Sequence, residues 1–362
     1  MLRKFLYLLL AVSIALGTVT ACSGSDTGAT GGGGEQTAQA ESRVDTIKSR
    51  GNLICGVEGT IPGFSFVDPS GNYSGLDVDV CRAVASAIFD TSEDIDSKIE
   101  YRNLDSSARF PALQNGEVDM LSRNTTWTIS RDSPGGNAFN FAPVTFYDGQ
   151  GLLASRASGV QNLEGMNGKS VCVETGTTTE LNLASRTKEA GITVNEVKFQ
   201  DSNAGFAAFG EGRCEVITSD RSQLAAKKTG LQNPDNFVLL EDVLSKEPLA
   251  PVVNNNDPRL YDIVKWTVFG LIQAEEFGIT QGNVAQRTQD PNPDIQNFLG
   301  TTGELGSQLG VANDFMQKVI TTVGNYGEIY ERNVGSGSPL NIDRGLNNLW
   351  TNGGLMYSPP FR

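Results

Sequence analysis

Short apolar runs alternate along the chain with stretches in which apolar residues recur every three or four positions. The runs near 52–57, 99–102 and 118–122 are typical of buried strands, and the stretches at 77–90 and 106–114 are typical of amphipathic helices. Two parallel strands need a crossover between them, and a helix in each interval supplies it. The first part of the chain therefore predicts an α/β fold with a mostly parallel sheet.

The same alternation restarts after two short apolar runs, 141–147 and 151–155, which indicate a connecting strand. Further strands are predicted, with helices between them, at 170–174, 194–199, 215–218 and 237–240. The chain then returns through an extended, proline-bearing segment at 244–253 to an apolar helix at 262–276. A chain of 362 residues is longer than most domains with a single hydrophobic core, and this length agrees with two similar α/β units.

The first 21 residues have the pattern of an export signal, with an apolar run at 5–16 that is too short to span a bilayer. Residues 19–22 resemble a bacterial lipobox, which implies that Cys22 is lipidated and becomes the mature N-terminus. The alternative is a plain signal peptide with an incidental cysteine. Residues 22–43 are rich in glycine and small polar residues, and they predict a low-complexity tether.

Composition narrows the class of function. A net charge of −14 makes nucleic acids and anionic membrane surfaces poor partners. The chain has no histidine, which excludes Ser-His-Asp and Cys-His catalysis and every histidine metal site. Carboxylate, lysine and tyrosine chemistry stays open. A binding protein is nevertheless favoured over a hydrolase, and neither a metal nor a cofactor is predicted.

Export permits disulfides, and four cysteines remain once Cys22 is set aside. Three pairings of the four are open. Cys55 lies in a predicted strand and Cys81 on the buried face of the next helix, so their adjacency favours a Cys55–Cys81 bond. The same logic favours Cys172 with Cys214. Four free thiols are the alternative.

Residues 116–131 begin as a strand, become polar, and then present Asn124, Thr126 and Arg131. A guanidinium binds a carboxylate with two parallel hydrogen bonds. An amide, hydroxyls and an arginine at a strand end therefore suit a small carboxylate. The alternative is a polar loop with a surface arginine.

A second set of polar groups lies in the second unit. The sequence Thr-Thr-Thr-Glu at 177–180 predicts a capping box at a helix start, where N–H groups and the positive dipole end suit an anion. We therefore expect Thr177 and Thr178 beside the ligand. Asp220 follows a predicted strand, where it would accept from an ammonium. The alternatives are that Thr177 only caps its helix, and that Asp220 pairs with Arg221 or caps the next helix.

Together the two sets match the zwitterion of an α-amino acid, since ligands of open α/β sheets bind at the carboxyl ends of strands. From about residue 45 onward, the chain also resembles the polar amino-acid-binding proteins of ABC importers, and within them the larger general L-amino-acid-binding type. The matching segments are 75–80 (Gly-Leu-Asp-Val-Asp-Val), 122–131, 176–180, 219–221 (Ser-Asp-Arg), 325–328 (Asn-Tyr-Gly-Glu) and 353–357 (Gly-Gly-Leu-Met-Tyr).

The resemblance assigns roles to single residues. Carried over position by position, it implies that Arg131 holds the ligand carboxylate, with help from Thr126 and from the backbone at Thr178. It implies that Asp220 holds the α-ammonium, with acceptor help from Asn124.

The resemblance also implies a two-lobed, type II periplasmic-binding-protein-like fold that closes on its ligand by hinge motion. Each lobe would be a mostly parallel sheet flanked by helices, with two crossover strands between the lobes. The expected bounds are 44–148 and 250–362 for lobe 1, and 149–249 for lobe 2. The protein would be a monomeric, non-catalytic lipoprotein outside the cytoplasmic membrane or in the periplasm, and it would hand L-amino acids to a permease with an ATPase.

The chain departs from the family pattern in the first strand-to-helix loop. Glu58 fits an acid position there, but Ile61 replaces an aromatic ring, and Ser106 stands at another frequent aromatic position. The loss of two stacking walls implies a roomier pocket and a broad specificity. Glu58 would favour cationic side chains; the alternative is a solvated loop glutamate.

Two other functions stay open from the sequence. Some relatives on this fold are exported dehydratases of aromatic-precursor acids, of the cyclohexadienyl or arogenate type. Glu58 is the only residue that we can name as a general acid for such a reaction. The other alternative is a ligand-sensing ectodomain, which would need a separate receptor because the sequence shows no second membrane span or cytoplasmic module.

Overall fold

The structure is a computed structural model that describes residues 42–362. The predicted signal peptide at 1–21, Cys22 and the predicted tether as far as residue 41 lie outside the described residues. The last two residues assigned to the tether do not belong to it. Ser42 accepts a hydrogen bond from the Val44 N–H and caps the first helix, which begins at Arg43.

The described residues form fifteen strands and thirteen α-helices. The strands are β1 (Leu53–Val57), β2 (Thr60–Ile61), β3 (Ser65–Val67), β4 (Tyr73–Ser74), β5 (Ile99–Asn103), β6 (Met120–Leu121), β7 (Phe139–Phe141), β8 (Phe146–Asp148), β9 (Gln150–Ser155), β10 (Ser170–Glu174), β11 (Asn195–Phe199), β12 (Val216–Asp220), β13 (Phe237–Leu239), β14 (Glu247–Leu249) and β15 (Val252–Asn254). The helices are α1 (Arg43–Arg50), α2 (Leu76–Phe89), α3 (Arg109–Gln114), α4 (Ile129–Asp132), α5 (Thr178–Glu189), α6 (Ser202–Gly210), α7 (Arg221–Lys228), α8 (Pro258–Glu276), α9 (Val284–Arg287), α10 (Pro293–Phe298), α11 (Leu305–Leu309), α12 (Phe315–Val323) and α13 (Tyr326–Asn333).

A five-stranded sheet with the order β5-β1-β6-β15-β7 forms the centre of lobe 1. β1 runs parallel to β5 and β6, as the alternating pattern predicts, and β15 is antiparallel to β6 and β7. Val80 and Val84 of α2 share one apolar cluster with Val264 and Leu271 of α8. Apolar residues at this spacing lie on one face of a helix, so each helix buries one stripe in the lobe 1 core.

A second five-stranded sheet, in the order β11-β10-β12-β9-β13, forms the centre of lobe 2. β10 is parallel to β11 and β12, whereas β9 is antiparallel to β12 and β13. The prediction that 151–155 is part of a connecting strand is wrong. Residues 150–154 are all buried, and Leu152 and Leu153 enter apolar clusters on opposite faces, so β9 needs cover on both sides.

Two crossover strands join the lobes. β8 and β14 form an antiparallel pair in which Asp148 lies opposite Glu247. The expected lobe bounds at 148/149 and 249/250 fall at the ends of this pair, and they stay a prediction. The expectation of two lobes with parallel strands in each sheet and two crossovers is confirmed.

The chain after residue 280, which we call the C-terminal extension, reaches the first crossover. The Tyr326 hydroxyl donates to the Thr145 carbonyl at 2.9 Å. The Asn347 side chain holds both main-chain groups of Tyr147: its oxygen accepts from the N–H at 2.6 Å, and its amide donates to the carbonyl at 3.1 Å. The extension is therefore tied to the first crossover strand.

Two disulfides link neighbouring elements. Cys55 of β1 is bonded to Cys81 of α2, and Cys172 of β10 is bonded to Cys214, which lies just before β12. These are the two pairs that the adjacency of the elements favours in the sequence. In the chain-entropy model each cross-link stabilises the fold by about 3–4 kcal/mol, because it restricts the unfolded chain.

Candidate functional site

A polar cavity lies where the lobes meet, at the carboxyl ends of the parallel strands. Lobe 1 contributes β2, α3, α4 and the loops after β5 and β6, and lobe 2 contributes the ends of β10 and β12 and the starts of α5 and α7. The empty volume is about 370 Å³, including the part open to solvent. The lining residues are Ile61, Ser106, Arg109, Arg123, Asn124, Thr126 and Arg131 from lobe 1, and Glu174, Thr177, Thr178, Thr179, Ser219, Asp220 and Gln223 from lobe 2.

Six of the seven residues that the sequence assigns to the ligand lie in this wall. They are Asn124, Thr126, Arg131, Thr177, Thr178 and Asp220. Residues that are about a hundred positions apart in the chain thus face one space. Their contact with a ligand stays a prediction.

Arg131 lies in the short helix α4 and is buried. One of its guanidinium nitrogens donates to the Thr126 carbonyl at 2.8 Å, and the guanidinium lies over the Phe110 ring at 5.3 Å from the centroid. These contacts hold the side chain in place in the cavity wall. Burial lowers the pKa of Arg131 to about 10, although the carboxylates of Glu247 and Asp220 act in the opposite direction. A further anionic group, supplied by a ligand, therefore stabilises the charged form of the Arg131 guanidinium.

Asp220 is the last residue of β12 and is buried. Burial raises its pKa well above the usual value, and the neighbouring carboxylates of Asp148 and Glu247 raise it further. Its side chain does not cap α7, and the Arg221 guanidinium donates instead to two main-chain carbonyls after β13. The structure thus contradicts the two alternative roles of Asp220, and its carboxylate favours a cation from the cavity.

The start of α5 faces the same space. Thr177 caps the helix, because its hydroxyl oxygen accepts from the Glu180 N–H at 3.1 Å. The predicted capping box is only half formed, since the Glu180 carboxylate accepts from the Gly176 N–H and not from that of Thr177. The first N–H groups of a helix have no partner within it. Those of Thr178 and Thr179, with the positive dipole end, therefore point to an anion site.

The side chain of Asn124 also has polar atoms that are available to a ligand. Its backbone has a positive φ of 42°, a conformation that asparagine tolerates better than most residues, and its N–H donates to Asp77 at 3.3 Å. Its side-chain oxygen and nitrogen are buried and have no hydrogen-bond partner among residues 42–362. Buried polar atoms are normally paired, so this amide is available to a molecule in the cavity.

Glu58 occupies a different place. Its carboxylate accepts from the N–H and the hydroxyl of Thr60, each at 2.6 Å, and from the Ser202 hydroxyl of lobe 2 at 3.4 Å. Thr60 also accepts from the Lys227 ammonium of lobe 2 at 2.7 Å. Glu58 is therefore neither a wall of the cavity nor a solvated loop residue, and it belongs to a contact between the lobes. Its position gives no support to a preference for cationic side chains.

The sequence analysis missed two arginines beside Arg131. Ser106 is a shared acceptor for them, with its hydroxyl oxygen 3.0 Å from Arg109 and 3.3 Å from Arg123. The Nε atoms of Arg109 and Arg123 are buried without a hydrogen-bond partner in the described part of the chain. Burial lowers the pKa of Arg109 well below the usual value, and the nearby guanidiniums lower it further. Three close cations thus favour an anion.

Glu174 was missed as well. It ends β10, and its carboxylate accepts from the Ser106 N–H of lobe 1 at 3.3 Å. Arg123 lies inside the polar stretch already assigned to the ligand, so its neighbours were a usable signal. Glu174 also had a usable signal, because it ends a predicted strand just as Asp220 does. Arg109 had none, because an arginine at a short helix start is most often solvated.

The cavity, its paired charges and its place between two lobes agree with one family. Residues 53–280 match the family model of the bacterial extracellular solute-binding proteins, family 3. The chain belongs to this family. The match covers every strand of both five-stranded sheets and both crossover strands.

Two bacterial relatives match most of this chain. It is 48% identical over 327 residues to a general L-amino acid-binding periplasmic protein of Rhizobium johnstonii, which covers 90% of this chain and 94% of the relative. It is 44% identical over 328 residues to a glutamate/glutamine/aspartate/asparagine-binding protein of Rhodobacter capsulatus, with 90% and 95% covered.

Solved structures show the same two-lobed, type II architecture. A periplasmic binding protein of an ABC transporter from Brucella ovis, with glutathione bound, is 44% identical with a TM-score of 0.85, over 89% of this chain and all of that chain. An ancestral arginine-binding protein bound to arginine is 26% identical with a TM-score of 0.54, over 64% and 95%. The difference in coverage agrees with the length of the C-terminal extension.

Two kinds of feature are absent from residues 42–362. None of the helices in this range has the length and apolar character that a membrane crossing requires. In the same range no group of three or more Cys, Asp or Glu side chains is placed to hold a metal ion.

Proposed function

We propose that this protein captures an L-α-amino acid between its lobes and delivers it to the permease of an ABC transporter. One observation carries the proposal: Arg131 of lobe 1 and Asp220 of lobe 2 line one cavity, and burial leaves each of them in need of an opposite charge. A zwitterion supplies both charges at once. In this assignment Arg131 and the first N–H groups of α5 bind the carboxylate, and Asp220 binds the ammonium.

The charges of the wall favour an acidic side chain on the ligand. The cavity holds three arginines, Arg109, Arg123 and Arg131, against two carboxylates, Glu174 and Asp220. Among these wall residues, a neutral zwitterion leaves one arginine without a carboxylate partner in the wall, whereas the side chain of glutamate or aspartate supplies one. The amide of glutamine or asparagine also satisfies the unpaired Nε donors. We therefore expect a broad specificity in which acidic and amide side chains bind most tightly and cationic ones least.

The relatives support this assignment in outline. The named ligands of the Rhodobacter relative are the two acidic amino acids and their amides, and the Rhizobium relative is a general L-amino acid-binding protein. The glutathione in the Brucella structure has a γ-glutamyl group with a free α-amino acid end. All three relatives agree with a site that binds the α-amino acid zwitterion and accepts ligands with different side chains.

We further propose that the protein is a receptor without catalytic turnover and that a lipid on Cys22 holds it near the membrane. A dehydratase needs a general acid in contact with its substrate, and Glu58 lies outside the cavity wall. Relatives at 44–48% identity are solute-binding proteins by name. Mass spectrometry of the exported chain tests the anchor: an acylated Cys22 supports it, and an unmodified N-terminus contradicts it.

A thermal-shift panel tests the function. A mature chain with C22S, which cannot be acylated, is heated with each L-amino acid. Ligand at about a thousand times Kd adds about 4 kcal/mol of stability, which raises Tm by several degrees. We expect the largest shifts with glutamate, aspartate and their amides, and the smallest with lysine and arginine. No shift with any L-amino acid, or the reverse order, would contradict the proposal.

A further inference from the structure

Glu247 is a buried acid that the ligand assignment above does not use. It is the first residue of the second crossover strand, β14, and only 1% of its surface is exposed. It therefore belongs to the pair of crossover strands that joins the lobes. A carboxylate in such a place is costly to bury unless several donors satisfy it.

Donors from both lobes meet at this carboxylate. One oxygen accepts from the Thr126 hydroxyl of lobe 1 at 2.6 Å and from the Thr178 hydroxyl of lobe 2 at 2.8 Å. The two hydroxyl oxygens lie 3.4 Å apart. The other carboxylate oxygen accepts from the Asn182 amide at 2.9 Å and from the Ser245 hydroxyl. All four donors are thus directed at one side chain.

These contacts fix the direction of two protons. A threonine hydroxyl has a single proton to donate, and a carboxylate only accepts. The protons of Thr126 and Thr178 are therefore used at Glu247, and only lone pairs remain for the cavity. Such hydroxyls suit a donor, such as an ammonium, and they do not suit a carboxylate. The ligand carboxylate is then left to Arg131 and the N–H groups of α5.

We propose that Glu247 is a positioning residue, which holds the hydroxyls of Thr126 and Thr178 as acceptors and so makes the cavity select an α-ammonium. The proposal rests on the amino-acid function above and adds a selective group to it. Glu247 does not touch the ligand in this arrangement. It acts through one threonine of each lobe, and it therefore completes the ammonium site only when both lobes are in place.

Two substitutions at Glu247 separate its roles. Met in E247M has a similar length but no acceptor, so both hydroxyls become free to turn toward the ligand carboxylate. Gln in E247Q keeps an acceptor oxygen. The probes are L-glutamate and glutarate, which differ only in the α-ammonium. Calorimetric titration, with displacement for the weaker ligand, gives both values of Kd.

We expect E247M to weaken L-glutamate binding by about tenfold or more, which is the loss expected for a hydrogen bond to a charged group, and to change glutarate binding by less than about threefold. E247Q should recover most of the loss. E241Q, which neutralises an exposed glutamate in the same connecting segment, is the matched control and should bind like the wild type. Equal weakening of both ligands, or of neither, would overturn the proposal.

A second pair of variants, at Thr126 of lobe 1, tests the same hydrogen bond to Glu247. These variants provide the test if E247M fails to fold. T126V removes the hydroxyl and should weaken L-glutamate but not glutarate, and T126S should restore binding. Equal effects of T126V on the two ligands would again overturn the proposal. A wild-type protein that binds no amino acid would contradict the proposed function itself, and that result appears before any variant is compared.

Discussion

Arg131 and Asp220 face one cavity, and burial acts on both in the same sense. It lowers the pKa of the arginine to about 10 and raises that of the aspartate well above its usual value. In each case the charged form is the one that burial disfavours. A ligand that brings a carboxylate and an ammonium stabilises both charged forms. Binding and protonation are therefore coupled at this site.

The coupling predicts the pH dependence of affinity. Because the pKa of Asp220 is raised, a growing fraction of this residue is protonated as pH falls, and the ammonium binds only to the ionised form. Binding then releases a proton, so Kd rises as pH falls, by at most about tenfold per pH unit. Calorimetry between about pH 5 and 8, in buffers of different ionisation enthalpy, measures the slope and the proton count.

A neighbouring carboxylate provides the control for this prediction. Asp148 lies close to Asp220 and helps to raise its pKa. Removing that charge with D148N lowers the pKa of Asp220, so the loss of affinity moves to lower pH. A Kd that stays constant over the whole range in both proteins would contradict the coupling.

The sequence predicted the positions of some site residues better than those of others. Asn124, Thr126 and Arg131 lie in one polar stretch after a strand, and the strand-end rule placed them correctly in the cavity wall. Glu58 also follows a strand, but its own neighbour Thr60 binds its carboxylate and turns it toward the other lobe. A one-dimensional pattern does not show which way a loop side chain points.

Secondary structure followed hydrophobic periodicity closely wherever one face of an element is buried. Helix α2 begins one residue before its predicted start, and α5 begins directly after the predicted cap Thr177, whereas α8 begins four residues before its predicted start. β9 was misassigned because a strand covered on both faces has no alternation that shows its partners. Its antiparallel pairing with β12 and β13 depends on tertiary packing, which a local pattern does not contain.

Each of the two disulfides stabilises neighbouring elements within one lobe. Cys172 and Cys214 are 42 positions apart, and Cys55 and Cys81 are 26 apart. We expect C172S/C214S to lower the free energy of unfolding by about 4 kcal/mol, and C55S/C81S by slightly less, because the longer loop loses more chain entropy. Urea unfolding of the oxidised protein and both variants measures this. Unchanged midpoints, or free thiols in the exported protein, would contradict the pairing.

In the whole molecule, the lobes contact each other, and the C-terminal extension contacts the first crossover from outside the cavity. Lys227 of lobe 2 donates to Thr60 of lobe 1, and Ser202 donates to Glu58. The repeated α/β pattern foretold two lobes. It did not foretell these contacts or the convergence of Arg109 and Arg123, since both depend on how the lobes and loops pack in three dimensions.

The contact between the C-terminal extension and the first crossover strand predicts an effect on stability. N347A removes both hydrogen bonds to the Tyr147 backbone, so it leaves part-buried main-chain groups without these partners. We expect the free energy of unfolding to fall by about 1–3 kcal/mol. N352A, at an exposed position in the same extension, should stay within about 0.5 kcal/mol of the wild type. Equal stabilities of the two variants in urea would show that the extension does not anchor the first crossover strand.

The central claim is that Arg131 and Asp220 hold the two ends of an amino-acid zwitterion, and calorimetric titration of L-glutamate into variants of both tests it most directly. We expect R131A and D220N each to cost about 3 kcal/mol or more, which is over a hundredfold in Kd, because each leaves a buried charge of the ligand unpaired. R102A, which removes a half-exposed arginine elsewhere in lobe 1, should bind like the wild type. If R131A and D220N bound glutamate as tightly as R102A, the cavity between the lobes would not be the amino-acid site.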